Sequence, residues 1–179
     1  MIWKITTDEL LARYNAGERN FNGIELLRIV GEIAERDGID GLITGLEGAD
    51  LRGINLRGAN LEKVDLSETD LTGADFFGAY LSEASLWKAI LKDVNLFSAN
   101  LSHANLSEAD LTDATLSEVR AISTVFIGAK VPGFQRANLS NANFKYSTAD
   151  EYNLCRWFNL IWRTIMPNGT IKEVPHCVW

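Results

Sequence analysis

Leucine recurs at every fifth position from Leu46 to Leu116, and this spacing constrains the fold more than any other feature of the chain. Of the fifteen centres in this series, fourteen are Leu and one is Phe76. Small or β-branched residues stand two before each centre, ten of them Ala, and Asp or Asn usually stands immediately before it. A helix turns by 100° per residue and a strand alternates faces, so neither keeps every fifth residue on one side. The fold must therefore repeat a five-residue unit.

A three-residue strand followed by a two-residue bend satisfies this spacing. The small residue and the Leu point inward, the Asp or Asn between them points outward, and polar or small pairs such as Arg57-Gly58 form the bend. Thr44 and Thr69 hold two of the inward small positions. Four such bends close a coil of about 20 residues that stacks on the next at roughly 4.8 Å, the spacing of hydrogen-bonded strands.

The triplets that carry this pattern resemble the pentapeptide-repeat family. They include Ala49-Asp50-Leu51, Ala59-Asn60-Leu61, Ala99-Asn100-Leu101 and Ala109-Asp110-Leu111. The resemblance implies an all-β solenoid, a right-handed quadrilateral parallel β-helix. The segments Asp8 to Phe21 and Thr164 to Ile171 resemble the start and the ending of many cyanobacterial members, so the resemblance implies a cyanobacterial-type source.

One domain, residues 1–179, accounts for the whole chain by length. Thr6 and Glu9 form a capping box for a short N-terminal cap helix within residues 1–17. Phe21 and Leu26 share the fivefold register with Leu46, which predicts a first coil within residues 18–43. Residues 27–43 allow two interpretations, an irregular excursion from the coil or a short helix through Leu26, Ile29, Val30 and Ile33. Regular repeats then occupy residues 44–131.

Register-shifted repeats are predicted over residues 132–166, followed by a turn and tail over 167–179. Pro132-Gly133 slips the register as a loop or bulge at a corner of the coil, and the repeat resumes at Phe134. A second slip precedes Leu160 and Ile165, which are expected to continue the pattern. Inward turning accounts for Leu154, Phe158 and Leu160, and it leaves Trp157 and Trp162 exposed.

Composition and charge narrow the function classes. A net charge of −7 argues against direct nucleic-acid binding through a basic surface, and no apolar run is long enough for a membrane span. Two cysteines, Cys155 and Cys177, and two histidines, His103 and His176, are too few for a disulfide framework or a zinc site. We therefore expect a reduced, cytoplasmic, non-enzymatic protein with no cofactor, no bound metal and no catalytic residues.

Stacking brings residues 20 apart into columns, and these columns contain the candidate interaction surface. Phe77 and Phe97 should stack as an aromatic ladder, either as simple cross-strand stabilisation or as a partner patch helped by Trp87 on an adjoining face. Asp50, Asp70 and Asp110 form an acidic column that Ile90 interrupts. Trp157 and Trp162 make the C-terminal end a candidate for docking on another copy or a partner.

These features favour a protein-interaction scaffold with an unknown protein partner, including self-association through an end coil. The alternative comes from the resemblance, because quinolone-resistance members of the family mimic B-DNA and bind DNA gyrase. Residues 44–131 carry 13 acids and 7 bases, a balance of −6. A B-DNA segment about 25 Å long carries roughly 15 negative charges, so this chain is under-charged for mimicry of DNA at a topoisomerase.

Overall fold

The computed structural model describes residues 3–30, 33–35 and 43–173. Its named elements are β1 (Trp3–Thr6), α1 (Thr7–Asn15), β2 (Ile24–Val30), β3 (Ile33–Glu35), α2 (Glu151–Leu154), β4 (Thr164–Ile165) and β5 (Ile171–Lys172). These strands form two small sheets, one of order β1-β2-β3 and one of β4 and β5. Most of the described chain lies outside them and is organised differently.

Single-residue parallel bridges, rather than long strands, connect the repeats. They join residues 20 apart, and one column of them passes through Asn60, Tyr80, Asn100 and Arg120. Each bridge rests on two main-chain hydrogen bonds: Leu81 donates to the Asn100 carbonyl at 2.8 Å, and Asn100 donates to the Ala79 carbonyl at 2.9 Å. The chain therefore winds in coils of four pentads, stacked in parallel and in register.

The core follows the predicted pattern closely. All fifteen centres from Leu46 to Leu116 are at most 2% exposed, and most of the residues two before them are buried as well. Ala49 is half-buried and Thr44 is exposed, while Ile43 is buried and bridges Val64 in place of Thr44. The prediction of Thr44 as an inward residue is wrong because Gly45, with a φ of +107°, turns the chain just before Leu46.

Asp and Asn immediately before the centres have a local structural role. Their Oδ1 atoms accept the main-chain N–H two residues further on, as Asn105 does from Ser107 at 3.1 Å and Asn143 from Lys145 at 3.0 Å. This is the Asx-turn geometry that Asp and Asn share and longer acids lack. The second residue of each bend then has positive φ, which Gly58 adopts at +61° and Lys63 at +57°.

The N-terminal end begins with a capped helix. The Thr6 hydroxyl accepts the Glu9 N–H at 3.2 Å at the start of α1, as the capping box predicts. Strand β1 pairs in parallel with β2, adding one level beyond the first coil. Phe21 and Leu26 are fully buried, but their levels stack on Leu56 and Leu61, because Asn20 bridges Asn55 and Glu25 bridges Asn60.

Residues 27–43 contain a hairpin in their described part. Strand β2 continues to Val30 and pairs antiparallel with β3, with Val30 opposite Ile33. The alternative of a short helix through Ile29, Val30 and Ile33 is therefore wrong for these residues. β-branched residues in general favour strands over helices. Residues 31–32 and 36–42 lie outside the described part.

The C-terminal coils keep the parallel register with altered spacing. The bridge offset falls from 20 to 18 at Ser117–Gln135 and Arg120–Asn138, as expected for the slip at Pro132-Gly133. Beyond α2 the inward residues are Ile161 and Met166, not Leu160 and Ile165, which instead form the bridges.

Phe158 is 88% exposed, so its predicted inward orientation is also wrong. The helical turn α2 consumes extra residues and displaces the register by one relative to simple counting. This displacement accounts for the misplacement of Phe158, Leu160 and Ile165 in the sequence analysis.

Cys155 is disulfide-bonded, which contradicts the expectation of reduced thiols. Two cysteines exclude a disulfide framework but not a single bond, and the other cysteine of the sequence, Cys177, lies outside the described residues. Among the helices of the described ranges, none is long and apolar enough to cross a membrane.

Candidate interaction surface

One corner of the coil carries an almost continuous line of main-chain contacts and exposed side chains. We call this line the corner column; its members, in order, are Arg57, Phe77, Phe97, Ser117, Gln135 and Trp157. Five hydrogen bonds connect successive members: in each, the residue that follows one member donates its N–H to the carbonyl of the next member, at 2.7–3.0 Å. The column extends over six levels, so about 25 Å separate its ends at the usual inter-strand spacing.

Phe77 and Phe97 stack at the centre of the corner column. Their ring centroids are 5.5 Å apart and their planes differ by 7°. The Arg57 guanidinium lies over the outer face of Phe77, 4.2 Å from its centroid, and also pairs with Asp75 at 3.1 Å. Phe77 is 38% exposed and Phe97 is half-buried. The stacked ladder expected from the 20-residue spacing is therefore present, with a cation at one end.

Trp87 does not join this ladder. It is ten residues, half a coil, from both Phe77 and Phe97, so it lies on the opposite side of the coil rather than on an adjoining face. It is half-buried, and its ring carries the Lys88 ammonium at 4.2 Å. The expected grouping of Trp87 with the two phenylalanines is wrong because a pentad advances a quarter of a coil, and two pentads separate them.

Trp157 lies in the same corner column at its C-terminal end, separated from the stacked phenylalanines by the two levels of Ser117 and Gln135. Its carbonyl accepts the Arg136 N–H at 2.7 Å, which places it in the corner column, and its side chain is 51% exposed. Arg156 lies against it and against Tyr152, with centroid distances of 5.4 and 4.5 Å. Trp162, 45% exposed, occupies the next corner through the bond from Asn141 to its carbonyl. Counting in steps of 20 from Ser117 misses Trp157, because Gln135 lies 18 residues after Ser117 and Trp157 lies a further 22 residues along the chain.

The acidic column is present as a column but not as a charged surface. Bridges connect Asp50, Asp70, Ile90, Asp110 and Lys130 in that order. Arg52 pairs with both Asp50 and Asp70, while Lys92 and Lys130 lie 3.6 and 2.9 Å from Asp110. Three acids thus face three bases, so the column is close to neutral.

Two carboxyl groups of the acidic column have lowered pKa values. Hydrogen bonds from the Arg52 side chain and backbone lower the pKa of Asp50. Burial raises the pKa of Asp110, but hydrogen bonds from Thr112 and Lys130 outweigh it, and the pKa falls to about 2. Both shifts arise from neighbours that hold the carboxylate in its charged form within the protein.

Other candidate chemistry is sparse in the described part of the chain. His103 occupies an exposed bend with a φ of +63°. No group of three or more His, Cys, Asp or Glu side chains among residues 3–30, 33–35 and 43–173 could hold a metal ion. His176, like Cys177, lies outside these ranges.

Comparisons with known proteins agree with the coil geometry. Residues 46–76, 74–113 and 104–133 match the family model for pentapeptide repeats, with eight copies. The chain therefore belongs to the pentapeptide-repeat family, whose members form β-helix solenoids. A search of curated proteins finds no match.

One solved structure shows the same fold, and two others are compared with this chain by sequence identity and coverage. The crystal structure of alr5209, a pentapeptide repeat protein from Nostoc, matches with 24% identity and a TM-score of 0.51, covering 89% of this chain and 97% of that one. HetL from Nostoc, described as involved in heterocyst differentiation regulation, matches with 21% identity, 94% and 100% coverage and a TM-score of 0.27. QnrB1, a plasmid-mediated fluoroquinolone resistance protein, matches with 18% identity, 92% and 63% coverage and a TM-score of 0.30.

Proposed function

We propose that this chain is a non-catalytic protein-interaction scaffold, a right-handed quadrilateral β-helix whose corner column docks a partner protein. The 20-residue parallel register supports the coil. The observation that carries the function is the exposed, stacked pair of Phe77 and Phe97, with Arg57 at one end. Aromatic and Arg side chains are the residues most enriched at the energetic centres of protein interfaces.

Stabilisation of the coil alone explains this pair less well. A cross-strand aromatic pair contributes about 0.2–1 kcal/mol, a modest gain compared with the buried Leu at every level. Within the core, Phe126 and Phe144 stack in the same way at 4.7 Å, fully shielded from water. Phe77 instead stays 38% exposed although it is stacked between Phe97 and the Arg57 cation, and Trp157 is 51% exposed beside Arg156.

A cross-linking pull-down from native extract tests the proposal. The bait is the full chain, compared with Phe77→Ser/Phe97→Ser and with Trp87→Ser as a matched aromatic loss on the opposite side. We expect the wild type and Trp87→Ser to retain the same partner and the double variant to lose it, with all three folded by circular dichroism. Equal capture by the double variant, or loss only with Trp87→Ser, contradicts docking at the corner column.

Binding of DNA gyrase as a DNA mimic is the second candidate function, raised by the family resemblance and the acidic column. The pairing of Asp50, Asp70 and Asp110 with Arg52, Lys92 and Lys130 weakens it, because a mimic needs unneutralised negative charge. Inhibition of gyrase supercoiling by the purified protein, abolished by Asp50→Asn/Asp70→Asn/Asp110→Asn, establishes mimicry. No inhibition at micromolar protein excludes it.

Cytoplasmic residence and self-association through an end coil belong to the same proposal. The exposed Trp157 and Trp162 at the C-terminal end support self-association, and a concentration-dependent sedimentation coefficient that falls on Trp162→Ser tests it. Thiol labelling of the protein in intact cells tests the compartment, because a disulfide at Cys155 persists more readily in an oxidising environment. Labelling of Cys155 as a free thiol supports cytoplasmic residence, and protection of Cys155 from labelling contradicts it.

A further inference from the structure

One face of one coil level lacks two main-chain hydrogen bonds to the next level, and this gap adjoins the corner column. From Leu51 to Phe126, each centre donates its N–H to the following coil, with the single exception of Leu116. In the same range, the carbonyl of each residue that stands two before a centre accepts an N–H from the following coil, with the exception of Ala114. Within residues 3–30, 33–35 and 43–173, nothing pairs with the Leu116 N–H or the Ala114 carbonyl. An unpaired N–H and C=O at a strand edge are a template for another strand.

A two-residue deletion in the following coil produces the gap. Phe134 follows Val131 by three positions, where the repeat requires five. The missing pair would stack on Ala114 and Thr115, and Thr115 accordingly bridges Asn95 below but no residue above among those described. Pro132-Gly133 turns the chain directly to Phe134, so this face loses one bridge while the other three faces keep theirs.

The gap opens as a groove of about 330 Å³, which we call the notch. Its lining residues come from the lower coil, the shortened bend and the region of α2: Ala114, Thr115, Leu116, Ser117, Pro132, Gly133, Phe134, Gln135, Asn153 and Trp157. Ala114 is 9% exposed, compared with 1% for the equivalent Ala74 and Ala84. The notch therefore reaches the inward-facing layer of the coil and ends against Trp157 of the corner column.

We propose that the notch binds an extended acidic peptide segment of a partner protein, which supplies the main chain that this level lacks. The proposal rests on the scaffold function above and names the chemistry of its partner. One residue of the peptide donates its N–H to the Ala114 carbonyl and accepts the Leu116 N–H. Thr115 makes the same two bonds with the level below it: its N–H donates to the Val94 carbonyl at 2.9 Å, and its carbonyl accepts the Leu96 N–H at 3.0 Å. This is strand addition to an exposed edge, here in parallel orientation.

The surroundings define the side chains of the peptide. The residue that faces Ala114 must be small, because this slot holds Ala in ten of the fifteen regular pentads. Acidic flanking residues suit residues 132–173, which carry five bases and three acids. Arg156 beside Trp157 forms no ion pair with any described residue, so its charge is available to a carboxylate.

Fluorescence polarisation with a defined probe tests the notch. The probe is fluorescein-labelled Glu-Asp-Gly-Ala-Asn-Phe-Asp-Glu amide, and its matched control carries an N-methyl group on the Asn, which removes the donor to Ala114. We expect the full chain to bind the probe and to bind the control at least tenfold more weakly. The Leu116 amide proton should become protected from hydrogen exchange when the probe binds.

A variant that fills the notch provides the protein control. Insertion of Ala-Asn between Gly133 and Phe134 restores a 20-residue coil, so the variant should keep or raise its thermal midpoint and lose the probe. Three results overturn the proposal: equal binding of both peptides, equal binding to the insertion variant, or no binding at millimolar probe. Self-association that the insertion abolishes also overturns it, because the occupant is then a second copy.

The same variant separates this proposal from the scaffold function. If the insertion variant still captures the partner that Phe77→Ser/Phe97→Ser loses, the corner column functions as proposed and the notch does not. If neither variant affects capture, docking at the corner column fails as well.

Discussion

The Asp65 carboxylate accepts both the main-chain N–H and the hydroxyl of Ser67, at 3.0 and 2.5 Å. Asp65 forms no ion pair with any residue in the described ranges, so its value to the fold lies in accepting hydrogen bonds. The same Oδ1-to-N–H bond recurs in many pentads with Asn in place of Asp. The repeat therefore selects a short acceptor at this position and not a negative charge.

Asp65→Asn should consequently leave stability within about 1 kcal/mol of wild type, because the amide oxygen keeps both bonds. Asp65→Ala should lose about 1–2 kcal/mol, because the bend N–H loses its acceptor. Urea unfolding of the two variants checks this. Equal losses of unfolding free energy for Asp65→Asn and Asp65→Ala, with a difference from wild type that added salt removes, would show that the charge of Asp65 matters rather than its hydrogen bonds.

Inward and outward positions should differ sharply in their tolerance of truncation. Leu81 is fully buried, so Leu81→Ala should cost about 2–5 kcal/mol through the cavity it leaves. The adjacent Ser82 is half-buried and accepts one hydrogen bond, from Asn100 at 2.9 Å, so Ser82→Ala should cost no more than about 1 kcal/mol. Thermal unfolding of both variants measures the difference, and similar midpoints contradict the assignment of faces.

Asp110 should make the stability of the protein sensitive to acid. Its pKa is about 2 in the folded protein, below the ordinary value of about 4, so the unfolded chain binds the proton more tightly. The stabilisation is complete above about pH 4 and is lost as the pH falls towards 2. Asp110→Asn should therefore flatten the dependence of the unfolding free energy on pH in this window.

Asp93→Asn is the control for this pH dependence, because the exposed Asp93 carboxylate has no bonding partner among the described residues. Denaturant unfolding at several pH values measures the slopes. A slope unchanged by Asp110→Asn, or changed equally by Asp93→Asn, contradicts the role of the Thr112 and Lys130 contacts.

Most of the regular coil could be predicted because its period is short and each repeat sees the same neighbours. The burial of Leu51 or Leu101 follows from position alone, and so does the stacking of Phe77 on Phe97. Trp87 was misplaced although counting alone places it correctly, because ten residues are half of the predicted 20-residue coil and put Trp87 opposite Phe77 and Phe97. Residues after α2 were misplaced because a helical turn changes the register without changing the local pattern of apolar residues.

The notch could not be predicted for a different reason. The slip at Pro132-Gly133 is visible in the sequence, but which main-chain groups lose their partners depends on the level below it. The consequence falls on Ala114 and Leu116, which lie 16 to 19 residues earlier and match the repeat perfectly. Long-range backbone pairing, rather than local sequence preference, decides whether the Ala114 carbonyl and the Leu116 N–H have hydrogen-bond partners.

The most direct test of the coil and of its gap at Ala114 and Leu116 is residue-resolved amide hydrogen exchange of the full chain. The corner column and the notch both depend on this register. We predict slow exchange for the N–H groups of Leu96, Leu101, Leu106 and Leu111, which donate to the following coil, and exchange at least a hundredfold faster for Leu116. Protection of Leu116 equal to that of the other four would contradict the account.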